Sequence, residues 1–461
     1  MKSRRAISVV GVLLLLAAGG LTGLYLRGRR EVTTSSAAAY EAYRQGIENE
    51  RRFYLKEARL HFARALELDP DFAMAMLGLA RNAEKDQATS LTERARRRRD
   101  RLNESERLHV DLQFAEVNGK TEEVSKLARE IHEKYPDDIR AAMILGHDED
   151  AKGHTDRAVQ IFTELLALEP NNALAYNLIG YYYGFRGDYD KAIESLKKYQ
   201  FMAPDQANPY DSLGEIQAYS GHYEEAIANL NRALAIKPDF FQSYSNLGVA
   251  YEGEGEYAKA IENYLKAATA ALTDGKRRDY LVQALRAAAE APDPAAVREV
   301  AVRLEAMPKD KGAEVRKVLV QVLLDLLERR PAQAEARLRE VRSALEALFA
   351  KQAAPGEKFY EPSWNFLMAW AKVAQGKDDE AIALYEEMVD QPNTWRGFEG
   401  RRWVYEGRAN LAALLAKKGE LDRAEKLLEE NRKWNPSWAP TRPAELTVAQ
   451  LRREKVLAAT K

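Results

Sequence analysis

The chain contains no cysteine and only six histidines. Without cysteine it cannot form disulfides, zinc–thiolate sites, cysteine nucleophiles or a lipidated amino-terminal cysteine. It also lacks a GxSxG motif, an HExxH motif and a glycine-rich phosphate-binding loop, the usual signatures of hydrolases, zinc proteases and nucleotide-binding enzymes. We therefore predict that the protein is not an enzyme and that it uses no cofactor.

An excess of charge of either sign is missing too. The 70 basic and 71 acidic residues nearly cancel, to a net charge of −1. Dedicated nucleic-acid binders carry a large basic excess, so we predict no nucleic-acid partner. One stretch is locally basic, and it has two interpretations: a solvated helix face, or a contact with an anionic surface such as lipid headgroups or an acidic partner. We predict that one long helix carries its arginines, which are Arg94, Arg96, Arg97, Arg98, Arg99 and Arg101.

A regular spacing of 34 residues is the strongest positive feature of the sequence. A fixed period of this length predicts stacked helical hairpins. In the unit 171–204, apolar residues at helical spacing form a first helix, Gly187 ends it, and Pro204 stops the second helix. Small residues at Gly180 and Ala192 allow the two helices to approach closely. The proline, glycine and alanine ladders are Pro136, Pro170, Pro204, Pro238; Gly146, Gly180, Gly214, Gly248; Gly153, Gly187, Gly221, Gly255; and Ala158, Ala192, Ala226, Ala260.

This pattern resembles the tetratricopeptide repeat (TPR). The resemblance implies an all-α fold, a right-handed α-solenoid of helix-turn-helix repeats with a concave face. We predict a TPR array at 39–275, with clean repeats at 137–271. We expect a charged break at residues 274–278. Degenerate helical hairpins follow at 276–350, with turns at Pro292–Pro294, Pro308 and Pro331. A TPR-like, tryptophan-rich region closes the chain at 351–461.

The amino-terminal part predicts a membrane anchor. A short basic tail (1–5) precedes an uncharged run of 21 residues, Ala6 to Leu26, and a linker (27–38) follows. At about 1.5 Å per residue the run spans about 31 Å, the thickness of a hydrocarbon core. A transmembrane signal anchor is our preferred interpretation. A cleaved signal peptide and a buried helix are the alternatives.

Two segments, TSSAAAYEAYRQG and RLNESERLHVDLQFAEVNGKTEE, look like TPR regions of bacterial membrane-tethered proteins, some of which carry a Ser/Thr kinase or DNA-binding domain. The resemblance implies a single-pass protein of the bacterial inner membrane. We expect the repeats on the extracytoplasmic side. Membrane contact would then run through residues 6–26.

In TPR proteins, ligands commonly lie on the concave face, against fixed positions of each first helix. Carried onto this sequence, those positions are polar and mostly acidic, which favours a polar or basic peptide or helix. The alternative is that they are only solvated. We call them the predicted groove: Asn177, Tyr181, Asn208, Asp211, Glu215, Tyr219, Gln242, Ser245 and Glu252.

All six tryptophans lie beyond residue 360. Either they fill the cores of irregular repeats, or some form a second contact face, because tryptophan and arginine are enriched at interface anchors. The candidate second face is Trp395, Arg396, Arg401 and Trp403, beside Arg402. A metal-like cluster, His147, Asp148, Asp150 and His154, is either a metal site or a solvated loop.

Taken together, these features predict a membrane-anchored, non-enzymatic TPR scaffold or adaptor that binds a protein or peptide partner. The alternative is a sensory or regulatory TPR component of a bacterial membrane kinase or transcription signalling system. Self-association into a homo-oligomer is left open by the sequence.

Overall fold

The computed structural model describes residues 32–310, 312–349, 361–389 and 398–459. Regular secondary structure in these ranges is entirely helical, as predicted. The chain forms two compact units, Met1–Ala141 and Ala142–Lys461. The helices of the first unit are α1 (Ala37–Arg51), α2 (Leu55–Leu68), α3 (Ala73–Arg81), α4 (Lys85–Arg96), α5 (Glu104–Val117) and α6 (Thr121–Lys134), and α7 (Ile139–Ala151) contains the division.

Sixteen further helices are described in the second unit. They are α8 (Thr155–Leu168), α9 (Ala173–Arg186), α10 (Tyr189–Met202), α11 (Ala207–Tyr219), α12 (Tyr223–Ile236), α13 (Phe241–Glu254), α14 (Tyr257–Ala270), α15 (Asp274–Glu290), α16 (Pro294–Glu305), α17 (Ala313–Leu327), α18 (Pro331–Phe349), α19 (Glu361–Ala374), α20 (Asp378–Val389), α21 (Phe398–Lys417), α22 (Leu421–Trp434) and α23 (Arg442–Ala459).

The first unit packs around Phe62 of α2, which is fully buried. Its ring lies between Gly46 of α1 and Gly78 of α3, and a Cβ on either glycine would come within 2.6 Å of it. These glycines occupy the repeat position at which the sequence predicts small residues. The hairpin rule of the clean repeats therefore also holds in this less regular unit.

The arginine-rich stretch differs from the sequence prediction of one long helix. Helix α4 ends at Arg96, and a short 3₁₀ turn covers Arg99–Arg101. The cause lies downstream, where Asn103 and Glu106 form a capping box at the start of α5. Because this box begins a new helix, the chain has to leave the old one first.

In the clean repeats, the predicted close approach of paired helices is confirmed. A Cβ on Gly214 of α11 would lie 2.7 Å from Leu230 Cγ and 3.0 Å from the carbonyl oxygen of Ala226, both on α12. The turns follow the prediction as well, because Gly187 ends α9 at φ +88°. That backbone conformation is one that glycine adopts without steric cost.

Three successive turns are covered by a carboxy-terminal segment, residues 434–441, which we call the clasp. The ring of Trp434 lies against Gly187, and the side chain of Asn435 against Gly221. The Tyr223 hydroxyl donates to Asn435 Oδ1 at 3.0 Å. Other turn glycines of the second unit, such as Gly153, have no described atom near the position of a Cβ.

The region after the clean repeats is helical, as predicted, but the expected charged break at residues 274–278 is not a break. Thr273 caps α15 by accepting from the Lys276 amide at 3.2 Å. The charged residues therefore form the first turn of a helix. The turns predicted at Pro292–Pro294 and Pro331 are found, with α16 and α18 beginning at the prolines.

Within the described ranges, no helix is long and apolar enough to cross a membrane. The predicted anchor, residues 6–26, lies outside them.

Candidate functional site

The central pair of the predicted groove is Tyr181 on α9 and Glu215 on α11, at equivalent positions one repeat apart. Both side chains are half-buried. The Tyr181 hydroxyl donates to Glu215 Oε2 at 2.5 Å. Burial and the nearby carboxylates Glu215 and Asp211 raise the pKa of Tyr181 well above its ordinary value. The tyrosine therefore stays neutral and acts as the donor of this hydrogen bond.

Asp211 lies one helical turn before Glu215 and is 3% exposed. Its Oδ1 accepts from the Ser243 hydroxyl at 2.7 Å and from Asn246 Nδ2 at 3.2 Å, both on α13. Burial raises the pKa of Asp211 to about 6, although the two donors oppose the shift. Asp211 thus ties two neighbouring repeats together beneath the accessible surface.

Two amide side chains of the predicted groove have buried oxygens that accept no hydrogen bond from the described residues. They are Asn177 Oδ1, on a side chain only 2% exposed, and Gln242 Oε1. A buried acceptor without a donor is destabilising. Both oxygens lie below the accessible surface.

The remaining positions are engaged within the chain. Asn208 donates to the Tyr199 hydroxyl at 3.0 Å, and Ser245 donates to Gln283 Oε1 at 3.1 Å. Tyr219 is 6% exposed. The structure brings Tyr181, Asp211 and Glu215 together. It leaves Tyr181, Glu215 and Gln242 as the partly accessible members of the groove, and the binding role of the set remains a prediction.

Glu252 belongs to a different cluster and is fully buried. It accepts from the Tyr264 hydroxyl at 2.7 Å and from Arg286 at 2.8 Å, and it forms an ion pair with Arg402. A carboxylate oxygen of Glu252 lies within 4.8 Å of oxygens of Glu290 and Glu406. We call Glu252, Glu290, Glu406, Arg286 and Arg402 the buried charge cluster.

Sequence reasoning misses this cluster, apart from Glu252. Its members lie on α13, α15 and α21, and no local spacing links Glu252 to Arg402 or to Glu406. Arg402 stands beside the second contact face in the sequence, but it is 1% exposed and faces inward. Of that face, Trp395 and Arg396 lie outside the described residues, as do the side chains of Arg401 and Trp403.

Two tryptophans fill the core. Trp364 donates from its indole nitrogen to the Leu338 carbonyl at 3.0 Å, and Trp438 of the clasp is 2% exposed. The guanidinium of Arg402 lies 5.0 Å from the ring centroid of Trp438. For these two residues the interpretation as core aromatics is confirmed.

Several arginines of the basic stretch have partners in the first unit. Arg98 pairs with Asp71, Arg99 with Asp111 at 2.8 Å, and Arg96 stacks 3.9 Å from the centroid of Phe114. These contacts suit the interpretation as a structural helix face. Contact of the stretch with an anionic surface stays a prediction.

The metal-like cluster is not assembled. Among the described residues, the grouping of potential ligands contains none of its four members. His154 pairs instead with Glu149 at 3.0 Å, and Asp150 accepts from Thr155 at 2.7 Å. His147, Asp148 and Asp150 lie in the last turns of α7, and His154 lies between α7 and α8.

Sequence models of the TPR family match four stretches of the chain. One described as "TPR repeat" covers 214–255, and three described as "Tetratricopeptide repeat" cover 161–194, 241–274 and 365–394. The first three matches coincide with the helix pairs around Gly180, Gly214 and Gly248. This chain is a TPR-like protein. No curated protein matches it.

Several solved structures are similar to this TPR-like protein. MamA is 22% identical, covering 34% of this chain and 93% of its own, with a TM-score of 0.28. A chain of the APC/C hetero-tetramer Cut9-Hcn1 is 14% identical, covering 90% of this chain and 76% of its own, with a TM-score of 0.48. A tetratricopeptide repeat protein from Parabacteroides merdae is 14% identical, covering 60% and 97%, at 0.40. Proteins with TPRs typically bind protein partners.

Proposed function

We propose that this TPR-like protein is a non-enzymatic scaffold that binds a protein partner through the predicted groove. We further propose that residues 6–26 hold it in a bacterial inner membrane, with the repeats on the extracytoplasmic side. The partner surface that fits best is basic, a lysine- or arginine-bearing peptide or helix. It would meet Glu215.

The observation that carries the proposal is the Tyr181–Glu215 pair above buried Asp211. Both carboxyls lie in a polar, partly buried environment, where an ion pair gains more than it does in open solvent. The side chains that donate to them include Tyr181, Ser243 and Asn246. We propose that the half-buried carboxyl of Glu215 is the group that meets a cationic side chain of the partner.

Affinity capture with Glu215→Lys tests the proposal. We expect the variant to lose bound partners, because it puts like charge against a basic surface. The matched control is Glu224→Lys, a charge reversal of an exposed residue on α12 outside the groove. Undiminished capture by Glu215→Lys would contradict the proposed groove. Equal losses in both variants would do so too, since they would indicate a general effect of charge.

The membrane part of the proposal has its own test. A reporter enzyme that is active only outside the cytoplasm, fused after Lys461, should be active in the full chain. The fusion protein should sediment with membranes, and deletion of residues 6–26 should release it into the soluble fraction. A reporter active only in the cytoplasm would contradict the orientation.

A further inference from the structure

The buried charge cluster contains one more negative charge than positive charges. Three carboxylates, Glu252, Glu290 and Glu406, face two guanidiniums, Arg286 and Arg402. Glu252 takes direct ion pairs with both arginines. Arg286 Nε lies 3.7 Å from Glu290 Oε1, beyond hydrogen-bonding distance. The excess charge therefore resides on Glu290 and Glu406.

Three of the four oxygens of these two carboxyl groups lack hydrogen-bond donors among the described residues. Both oxygens of Glu290 and Oε1 of Glu406 are buried and accept no hydrogen bond from any described residue. Two buried carboxylates side by side offer only acceptors and repel one another. A single proton removes both problems, because a protonated carboxyl donates to its ionised neighbour.

We propose that Glu290 and Glu406 share one proton. The hydrogen bond that it makes between the two carboxyl groups holds α21 and the clasp against the ends of α13, α14 and α15 that lie next to the turns between helices. Glu406 and Arg402 lie on α21, one helical turn apart. Arg402 reaches Glu252 on α13 and stacks on Trp438 of the clasp. The clasp in turn covers the turns at Gly187 and Gly221.

The surroundings of the pair agree with this assignment. Burial raises the pKa of Glu290 and of Glu406, and for Glu290 the charge of Glu406 raises it further, while Arg286 opposes the shift at both groups. The charged and titratable groups that face the pair are Glu252 on α13, Tyr257 and Tyr264 on α14, Arg286 on α15, Tyr385 on α20 and Arg402 on α21.

The direction of the pH dependence follows from the raised pKa values. A carboxyl whose pKa is higher in the folded than in the unfolded protein stabilises the fold while it is protonated. That contribution is present at low pH and lost as the pH rises through the raised pKa. The clasp and α21 should therefore loosen in alkaline solution, before the clean repeats do.

Hydrogen exchange of the full chain at about pH 6 and about pH 9, corrected for intrinsic rates, tests the proposal. We expect peptides from α21 and the clasp to lose protection at the higher pH, and to lose more of it than peptides from the clean repeats, because the shared proton leaves as the pH rises. Glu290→Gln and Glu406→Gln should remove this loss, since an amide N–H permanently supplies the donor that the proton provides. Glu429→Gln, an exposed residue on α22, should behave like the wild type.

Three outcomes would overturn the proposal. The first is a wild-type loss of protection that persists in both glutamine variants. The second is loss of the helical circular dichroism of both variants at either pH, because an amide should reproduce the protonated carboxyl. The third is restored protection at about pH 9 on adding calcium or magnesium, which would assign the carboxylates to a cation.

Discussion

Asp211 links the stability of the clean repeats to pH through one buried carboxyl. Its pKa is raised to about 6 by burial, against about 3.9 in an unfolded chain. A raised pKa means that the protonated form is favoured in the folded state. The stability associated with protonation is complete below about pH 4 and is lost as the pH rises through about 6.

Asp211→Asn should therefore flatten the pH profile of unfolding. The amide is always neutral, so the variant avoids the desolvation penalty of the ionised side chain. A pKa raised from about 3.9 to about 6 corresponds to about 2–3 kcal/mol of stability change between acid and neutral pH. Urea unfolding of the wild type and the variant at about pH 4 and about pH 8 measures this. Identical pH dependence in the two proteins would refute it.

Gly214 is required by close packing rather than by its backbone conformation. It is a helix residue, and a Cβ there would come within 3.0 Å of the Ala226 carbonyl oxygen. Backbone cannot move aside as a flexible side chain can. We therefore expect Gly214→Ala to destabilise the protein by roughly 1–3 kcal/mol.

Gly275 is the matched control for Gly214. It also lies in a helix, but the nearest atom to an added Cβ is 3.9 Å away. Gly275→Ala should be neutral or stabilise by up to about 1 kcal/mol, the helix preference of alanine over glycine. Thermal unfolding of the two variants compares them. If Gly214→Ala proved as benign as Gly275→Ala, the packing role would be wrong.

Glycines that are required by close helix packing could be predicted from sequence, because the same packing contact recurs in successive repeats. Gly180, Gly214 and Gly248 meet the same second-helix position in each repeat, so the 34-residue ladder reveals them. Glu252 could not be interpreted in the same way. It occupies a repeat position typical of ligand contact, yet its partners Arg286 and Arg402 come from later, irregular helices.

At the scale of elements, the turns between helices divide into covered and open ones. Gly153 and Gly187 have nearly the same backbone, at φ +86° and +88°. Alanine at either position costs about 1–2 kcal/mol for the left-handed conformation. Only Gly187 lies against the ring of Trp434, whereas no described atom lies within 4 Å of a Cβ at Gly153.

We expect Gly187→Ala to be more destabilising than Gly153→Ala, because the added methyl also displaces the clasp. Combining Gly187→Ala with Trp434→Ala should cost less than the sum of the two single changes, since the truncated side chain no longer collides. A double-mutant cycle of unfolding free energies measures this coupling. Equal effects of the two glycine substitutions, with additive behaviour of the double variant, would mean that the clasp does not press on this turn.

The clasp could not be predicted from sequence for a physical reason. Periodicity reports contacts between neighbouring repeats, and Trp434 meets Gly187 across more than half of the chain. Helix ends were also harder to predict than helices. A capping box at Asn103 begins a new helix after the arginine-rich stretch. Thr273 caps α15, so the charged residues that follow it form the first turn of that helix.

At the scale of the whole molecule, the repeats form the framework of the fold, and the predicted groove is the surface that we assign to partner binding. Most polar groups of the predicted groove are satisfied within the chain, as for Asn208 and Ser245. Glu215 accepts from Tyr181 and is half-buried, so part of its side chain is accessible to another molecule. Partner binding should therefore depend on a small part of the groove.

Site-specific photo-crosslinking tests the binding role of the groove most directly. A photoreactive phenylalanine analogue replaces Tyr181 in one variant. In the control it replaces Lys197, an exposed residue on the second helix of the same repeat. We expect a discrete crosslinked protein from position 181, none from position 197, and loss of the crosslink when Glu215→Lys is added. Crosslinks from position 197 alone, or from position 181 unaffected by Glu215→Lys, would contradict the account.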